Sequence, residues 1–158
     1  MRGLTHLNLA NNPLLSDRGA VGASCDEPED HTTDPPPDSL SGLRLLDRLL
    51  SLDLSFTAVS ARTLQSGIAA PDLRQLSLNQ CARVEDGGLY RLAARHPRLE
   101  RLELRSCPLS DTGLVSGLSC LPRLVYLDLG SCMYISSTGI VLSFYVVTRL
   151  PDDYEYLD

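Results

Sequence analysis

The residues best suited to chemistry in this sequence are three histidines, His6, His31 and His96, and five cysteines, Cys25, Cys81, Cys107, Cys120 and Cys132. A histidine beside a thiol can act as general base to a nucleophile, and clusters of the two bind zinc. Their spacing supports neither use. The histidines share no local motif, no two cysteines form a C-x-x-C pair, and an odd number of thiols completes no disulfide framework. The G-x-x-x-x-G-K-[ST] loop that cradles phosphates, the G-x-S-x-G elbow and the H-E-x-x-H helix are missing as well. The sequence therefore predicts no catalytic residue, no cofactor and no metal, and it reads as a non-enzyme.

Three of the cysteines recur with a period instead. The pattern L-x-x-L-x-L occurs as Leu4-Leu7-Leu9, Leu49-Leu52-Leu54, Leu73-Leu76-Leu78, Leu99-Leu102-Leu104 and Leu124-Leu127-Leu129, and starts after the first lie 24, 26 and 25 residues apart. That falls within the roughly 20 to 29 residues of a leucine-rich repeat. Three positions beyond the last leucine of each unit stand Asn12, Thr57, Cys81, Cys107 and Cys132, all small groups able to hydrogen-bond. The second and third leucines are expected to point inward from a short parallel strand. The polar residue then turns into the coil and satisfies backbone groups that the strand leaves unpaired. Cys81, Cys107 and Cys132 are thus expected to be stacked structural thiols, dulled by burial.

A second half-motif follows: Ser16-Asp17-Arg18-Gly19, Glu85-Asp86-Gly87-Gly88, Ser110-Asp111-Thr112-Gly113 and Ser136-Ser137-Thr138-Gly139. Ser or Asp there can cap a helix N-terminus. The helices so begun place Leu89, Leu92 and Ala93, then Leu114 and Leu118, on one apolar stripe, with Pro97 and Pro122 marking their stops. The second unit is looser, with Ser60-Ala61-Arg62-Thr63 in the capping position and Val59, Leu64 and Ile68 as its apolar helix residues. His96, just before Pro97, is given a helix-end or packing role.

The combined pattern, C-x-x-[VIL]-x-D-x-G-L-x-x-L followed by P-x-L-x-x-L-x-L and clearest from Cys81 to Leu104, resembles the cysteine-containing leucine-rich repeats of F-box/LRR ubiquitin-ligase substrate receptors. The expected fold is α/β: a right-handed leucine-rich-repeat solenoid, a horseshoe segment with short parallel strands on the concave face and helices on the convex face. About five repeats fill residues 1–150. The resemblance implies that the repeats grip a substrate, whereas a separate F-box bundle, not found in this stretch, docks onto the ligase adaptor. Adaptor binding is therefore expected only of a longer form carrying an F-box. The same face could equally serve a non-ligase scaffold or inhibitor.

Between residues 22 and 39 the period fails in an acidic, proline-rich run, Cys25-Asp26-Glu27-Pro28-Glu29-Asp30 through Asp34-Pro35-Pro36-Pro37-Asp38, expected to be a disordered insertion on the convex side. Cys25 within it is the thiol expected to oxidise first, and Cys120 lies near a helix end. The first strand starts close to Met1 without an amphipathic cap, so the chain reads as a fragment or a splice variant. Residues 151–158 read as an acidic tail that departs from the repeat and is expected to cap the open end.

Composition limits the partners. Fourteen Lys and Arg against twenty Asp and Glu give a formal net charge of -6, which opposes phosphate backbones and anionic membranes. No apolar run is long enough for a signal peptide or a membrane span, so a soluble chain of the cytoplasm or nucleus is expected. What remains is a protein-binding face. Strand alternation gives it three outward rows: His6, Ser51, Gln75, Arg101, Tyr126; Asn8, Asp53, Ser77, Glu103, Asp128; and Ala10, Ser55, Asn79, Arg105, Gly130. Arg and Tyr are enriched among binding hot spots. The predicted partner site is accordingly Gln75, Ser77, Asn79, Arg101, Glu103, Arg105, Tyr126 and Asp128, over units three to five.

Overall fold

A computed structural model describes residues 3–17 and 43–148. The expected insertion at 22–39, with Cys25 and His31, and the tail at 151–158 lie outside the described residues. Each leucine motif forms a strand of three residues: β1 His6–Asn8, β2 Ser51–Asp53, β3 Gln75–Ser77, β4 Arg101–Glu103 and β5 Tyr126–Asp128. The five strands pair in sequence order as one parallel sheet. Their register places Leu7, Leu52, Leu76, Leu102 and Leu127 side by side, as expected of repeats with conserved internal spacing.

Parallel neighbours require a crossover between strands. Here α1 Asp86–Arg95 joins β3 to β4 and α2 Asp111–Leu118 joins β4 to β5, while α3 Ser137–Thr148 follows β5 and packs on α2. Helices α1 and α2 end ahead of Pro97 and Pro122, and their Leu89, Leu92, Ala93, Leu114 and Leu118 are buried with the strand leucines in one core. The second unit departs from expectation in form, though Val59, Leu64 and Ile68 are all buried. Its crossover is a single π turn, Thr63–Gly67. A threonine stands there where the other units have glycine.

Every unit leaves its strand through a residue with positive φ: Asn11 (61°), Phe56 (59°), Gln80 (55°), Ser106 (56°) and Ser131 (60°). That conformation is costly for a residue with a Cβ. In the first four units the turn aims its N–H at a carbonyl of the following unit, Ser55, Asn79, Arg105 or Gly130, at 2.7–2.9 Å. The polar residue after the turn completes the junction. Asn12 and Thr57 donate to Leu9 and Leu54 of their own units, whereas Cys81, Cys107 and Cys132 donate to Leu54, Leu78 and Leu104 of the preceding unit, at 3.2, 3.1 and 3.0 Å. The recurring thiol therefore couples neighbouring repeats.

The serine and aspartate of the half-motif divide their labour. Ser110 and Ser136 accept from the Gly113 and Gly139 amides of their own helices, while Asp86 and Asp111 accept the backbone N–H and hydroxyl of the serine one unit on, with hydroxyl contacts of 2.6 Å. Asp17 holds Ser60 in the same way and takes the Thr63 hydroxyl at 2.8 Å. Glycine is needed beside Asp86 and Asp111, because a Cβ at Gly113 or Gly139 would overlap them, whereas Asp17 has room for Thr63. Across the four junctions between described units the series breaks once. Ala61 replaces the aspartate, and the unit that follows has Glu85 in place of serine with no side-chain cap. An aspartate at 61 would face a second carboxylate, so the two changes are mutually consistent.

Leu102→Ala and Leu104→Ala are each expected to cost about 2–5 kcal/mol in denaturant unfolding, because both side chains are fully buried. A negligible change in either variant would refute the inward ladder. Gly113→Ala is expected to destabilise by about 1–3 kcal/mol through overpacking, and by much less in an Asp86→Ala background. Strict additivity of the two substitutions would show that the residues do not meet.

Candidate functional site

The outer face of the sheet, away from the core, carries the first two predicted rows in register. Gln75, Arg101 and Tyr126 align across β3, β4 and β5, as do Ser77, Glu103 and Asp128. A shallow groove of about 400 Å³ runs along the first four strands, lined in part by His6, Asn8, Ser51, Asp53, Gln75 and Arg101.

Arg101 is the centre of the arrangement. Its Nη2 lies 2.8 Å and its Nε 2.9 Å from Oε1 of Glu103, and its Cζ sits 3.7 Å from the centroid of the Tyr126 ring. The other Glu103 oxygen accepts from Ser77 Oγ at 3.1 Å and from Asn79 Nδ2 at 2.9 Å. Asn79 Oδ1 accepts the Arg105 amide at 2.9 Å, and Arg105 Nη1 reaches Asp128 Oδ2 at 3.4 Å. Gly130 makes room for that guanidinium, since a Cβ there would come within 3.0 Å of Arg105 Nε. All the predicted site residues except Gln75 thus join one connected network. Gln75 is exposed, and its side chain has no hydrogen-bond partner among the described residues, while its backbone N–H donates to the Leu50 carbonyl at 2.9 Å.

The charges are mutually stabilised. Burial pushes the Glu103 carboxyl up, but donation from Asn79, Arg101 and Ser77 outweighs it and holds the group below the usual carboxylate value. The bond to Glu103 in turn raises the Arg101 guanidinium. Both groups stay ionised at neutral pH.

The third predicted row needs correction at Ser55. Ser55 is buried at 5% exposure, its hydroxyl accepting the Asn79 amide at 3.2 Å, and Asn79 is half-buried with both ends of its side chain used inside the network. These residues lie beyond the last strand residue, where the chain already bends toward the left-handed turn. Strict in-out alternation no longer applies there. Arg105 of the same row remains exposed.

Sequence reasoning also missed the aspartate-to-serine link between units, having treated Ser and Asp as interchangeable caps. The available signal was the pairing of Asp with a glycine one unit later.

Of the residues that first suggested chemistry, Cys81, Cys107 and His96 are buried in packing positions, and Cys120 and Cys132 pack against the core. Burial raises the Cys81, Cys107 and Cys132 thiols, that of Cys107 to about 12, so the reactive thiolate is suppressed. Cys120 is half-buried near the end of α2. His6 is exposed on β1. His96 is buried, with Nδ1 3.1 Å from the Ala70 carbonyl and no partner for Nε2 among the described residues. A carbonyl only accepts, so the proton sits on Nδ1 and the bare Nε2 lone pair is left unpaired. Among the described residues no group of three or more His, Cys, Asp and Glu side chains could hold a metal ion, and no helix is long and apolar enough to cross a membrane.

Repeated strand, turn and crossover, in-register leucines and a polar outer face define an α/β repeat protein. A family model described as Leucine Rich repeat matches residues 2–22 and 96–116, two stretches that support a leucine-rich-repeat protein. Such domains generally mediate protein–protein interaction and are typically not enzymes. A search of curated proteins finds no match.

Burial lowers the His96 pKa, against the pull of the Ala70 hydrogen bond. The fold therefore keeps the ring neutral at pH values where the unfolded chain protonates it. The associated stability is complete above the unfolded pKa of about 6.5 and falls as pH drops below it. His96→Leu, matching Leu121 one unit on, is expected to flatten that part of a stability–pH curve. An unchanged slope would remove His96 as its source.

Proposed function

We propose that the outer face of β3 to β5 holds a protein partner on the concave side of a right-handed solenoid, and that in the cytoplasm or nucleus this serves substrate recognition in SCF-type ubiquitin-dependent degradation. The observation that carries the binding part is Arg101 held between Glu103 and Tyr126. A guanidinium already fixed over an aromatic ring and against a carboxylate loses little further freedom on binding, so its contacts convert more fully into affinity. The site offers donors, acceptors and an aromatic plane, with no activated nucleophile beside them.

The ligase part is supported by the likeness of the repeats to F-box/LRR receptors, with recruitment to the adaptor made through an F-box in a longer form. The site itself is independent of that connection. A scaffold or inhibitor outside any ligase would use the same residues.

Arg101→Ala combined with Tyr126→Ala is the preferred test. Glutamate at 101 or 105 would instead set carboxylates against Glu103 or Asp128 and disturb the fold. In affinity capture with mass spectrometry the double variant is expected to lose the partners of the unaltered chain, with binding weakened at least about tenfold, or 1.4 kcal/mol, and circular dichroism unchanged. Retention of every partner at full affinity would place binding elsewhere. The ligase adaptor among proteins captured by an extended form favours the degradation reading, and its absence there favours the scaffold.

A further inference from the structure

The fifth unit ends in an apolar cavity of about 750 Å³ between the free edge of β5 and α3, lined by Val125, Leu127, Leu129, Met133, Ile140 and Phe144 among others. Val125 and Met133 are each 86% exposed. Among the described residues the main-chain ladder stops here too. Leu54, Leu78 and Leu104 each give their amide to the next unit, to the carbonyls of Ser77, Glu103 and Asp128 at 2.9, 2.9 and 2.8 Å. The amide of Leu129, next in that series, has no partner among the described residues.

The chain's own repeats define what fits this end. At each of the last three junctions a proline stands four residues before the strand, Pro71 before Gln75, Pro97 before Arg101 and Pro122 before Tyr126, and the residue ahead of it, Ala70, His96 or Leu121, is buried. Leu150-Pro151 repeats that pair, and the same count from Pro151 reaches Glu155. In this register Leu150 follows Leu121, Asp152 falls beside Arg123, Tyr154 beside the exposed Val125, and Tyr156 beside Leu127. The position of Asp152 already carries an inter-unit ion pair two units back, between Arg98 and Asp72. Arg123 is exposed and has no carboxylate partner among the described residues. Asp153 and Asp158 stand where Leu124 and Leu129 stand one unit earlier. A terminal unit has water on its far side, so polar residues suit it.

We propose that residues 150–158 of this chain close the open end as a half unit, adding Glu155–Leu157 to β5 as a sixth parallel strand. Tyr156 continues the leucine ladder, Asp152 pairs with Arg123, and the Leu157 carbonyl accepts the Leu129 amide. The tail, which looks foreign to the repeat by its acidity, keeps the repeat's proline-to-strand count. The inference is independent of any partner on the outer face.

Amide hydrogen exchange by NMR tests it, comparing the full chain with one ending at Arg149. The Leu129 amide is expected to be protected in the full chain, at all protein concentrations, and to exchange rapidly in the shortened one, which should also bind an apolar dye and melt lower. Equal exchange at Leu129 in both chains overturns the proposal. So does protection that vanishes on dilution, which would assign the edge to a second copy. A separate pair of variants checks the register without removing the tail. Arg123→Asp is expected to lower Leu129 protection several-fold, and Asp152→Arg in the same chain to restore it. Failure to restore it would refute the pairing.

Discussion

No strand here can satisfy its own backbone. With three residues per strand and parallel pairing, the amides and carbonyls of each unit find partners only in the units on either side, so the stack is held by interactions between neighbours. The side chains obey the same constraint. The cysteine of one unit donates to a carbonyl of the unit before it, the aspartate of one unit holds the serine of the next, and the left-handed turn aims its N–H forward. Where a link is buried, as at Cys81 and Cys107, it fills a group that would otherwise be left unpaired at a cost of about 1–3 kcal/mol.

That constraint explains why small polar residues recur where they do. A thiol is compact enough to fit the packed interior and still reach a carbonyl one repeat away, and burial keeps it protonated. The first two units use Asn12 and Thr57, which donate within their own turn, so Leu54 accepts from both Thr57 and Cys81 where the two styles meet. Irregularity gathers in the same region. Phe56 occupies the left-handed turn with a bulky ring, and Ala61 interrupts the aspartate series. The second unit gives up part of the side-chain linkage and still stacks, because Val59, Leu64 and Ile68 fill the core.

Much of this was legible in the sequence because burial repeats with the chain's period. The leucine spacing located all five strands, their parallel order and the inward side chains, since a shift of one residue would turn Leu52 or Leu102 out to water. Alternation also located Arg101, Glu103, Tyr126 and Asp128 on one face. It failed at Ser55, where the strand has ended and the backbone turns, a change of geometry that hydrophobic pattern does not report. The division of labour between Asp111 and Ser110 was hidden for another reason. Both residue types cap helices, and only coordinates distinguish a cap on one's own helix from a hold on the neighbour's. The π turn at Thr63–Gly67 was hidden likewise, because Leu64 and Ile68 keep helical spacing.

The outer-face network extends the same logic from folding to recognition. Glu103 reaches back to Ser77 and Asn79 of the third unit, while Arg101 reaches forward to Tyr126 of the fifth. No single repeat contains the site, and Arg101 is positioned only when three units are stacked in register. Its free energy of ordering is therefore met during folding, before any partner arrives, and the leucines behind the sheet serve the surface in front of it. A leucine-to-alanine change in the core need not touch a visitor to weaken binding, because loosening the register between β3 and β5 separates Glu103 from its donors and Arg101 from its ring. Stability and recognition are coupled through that register.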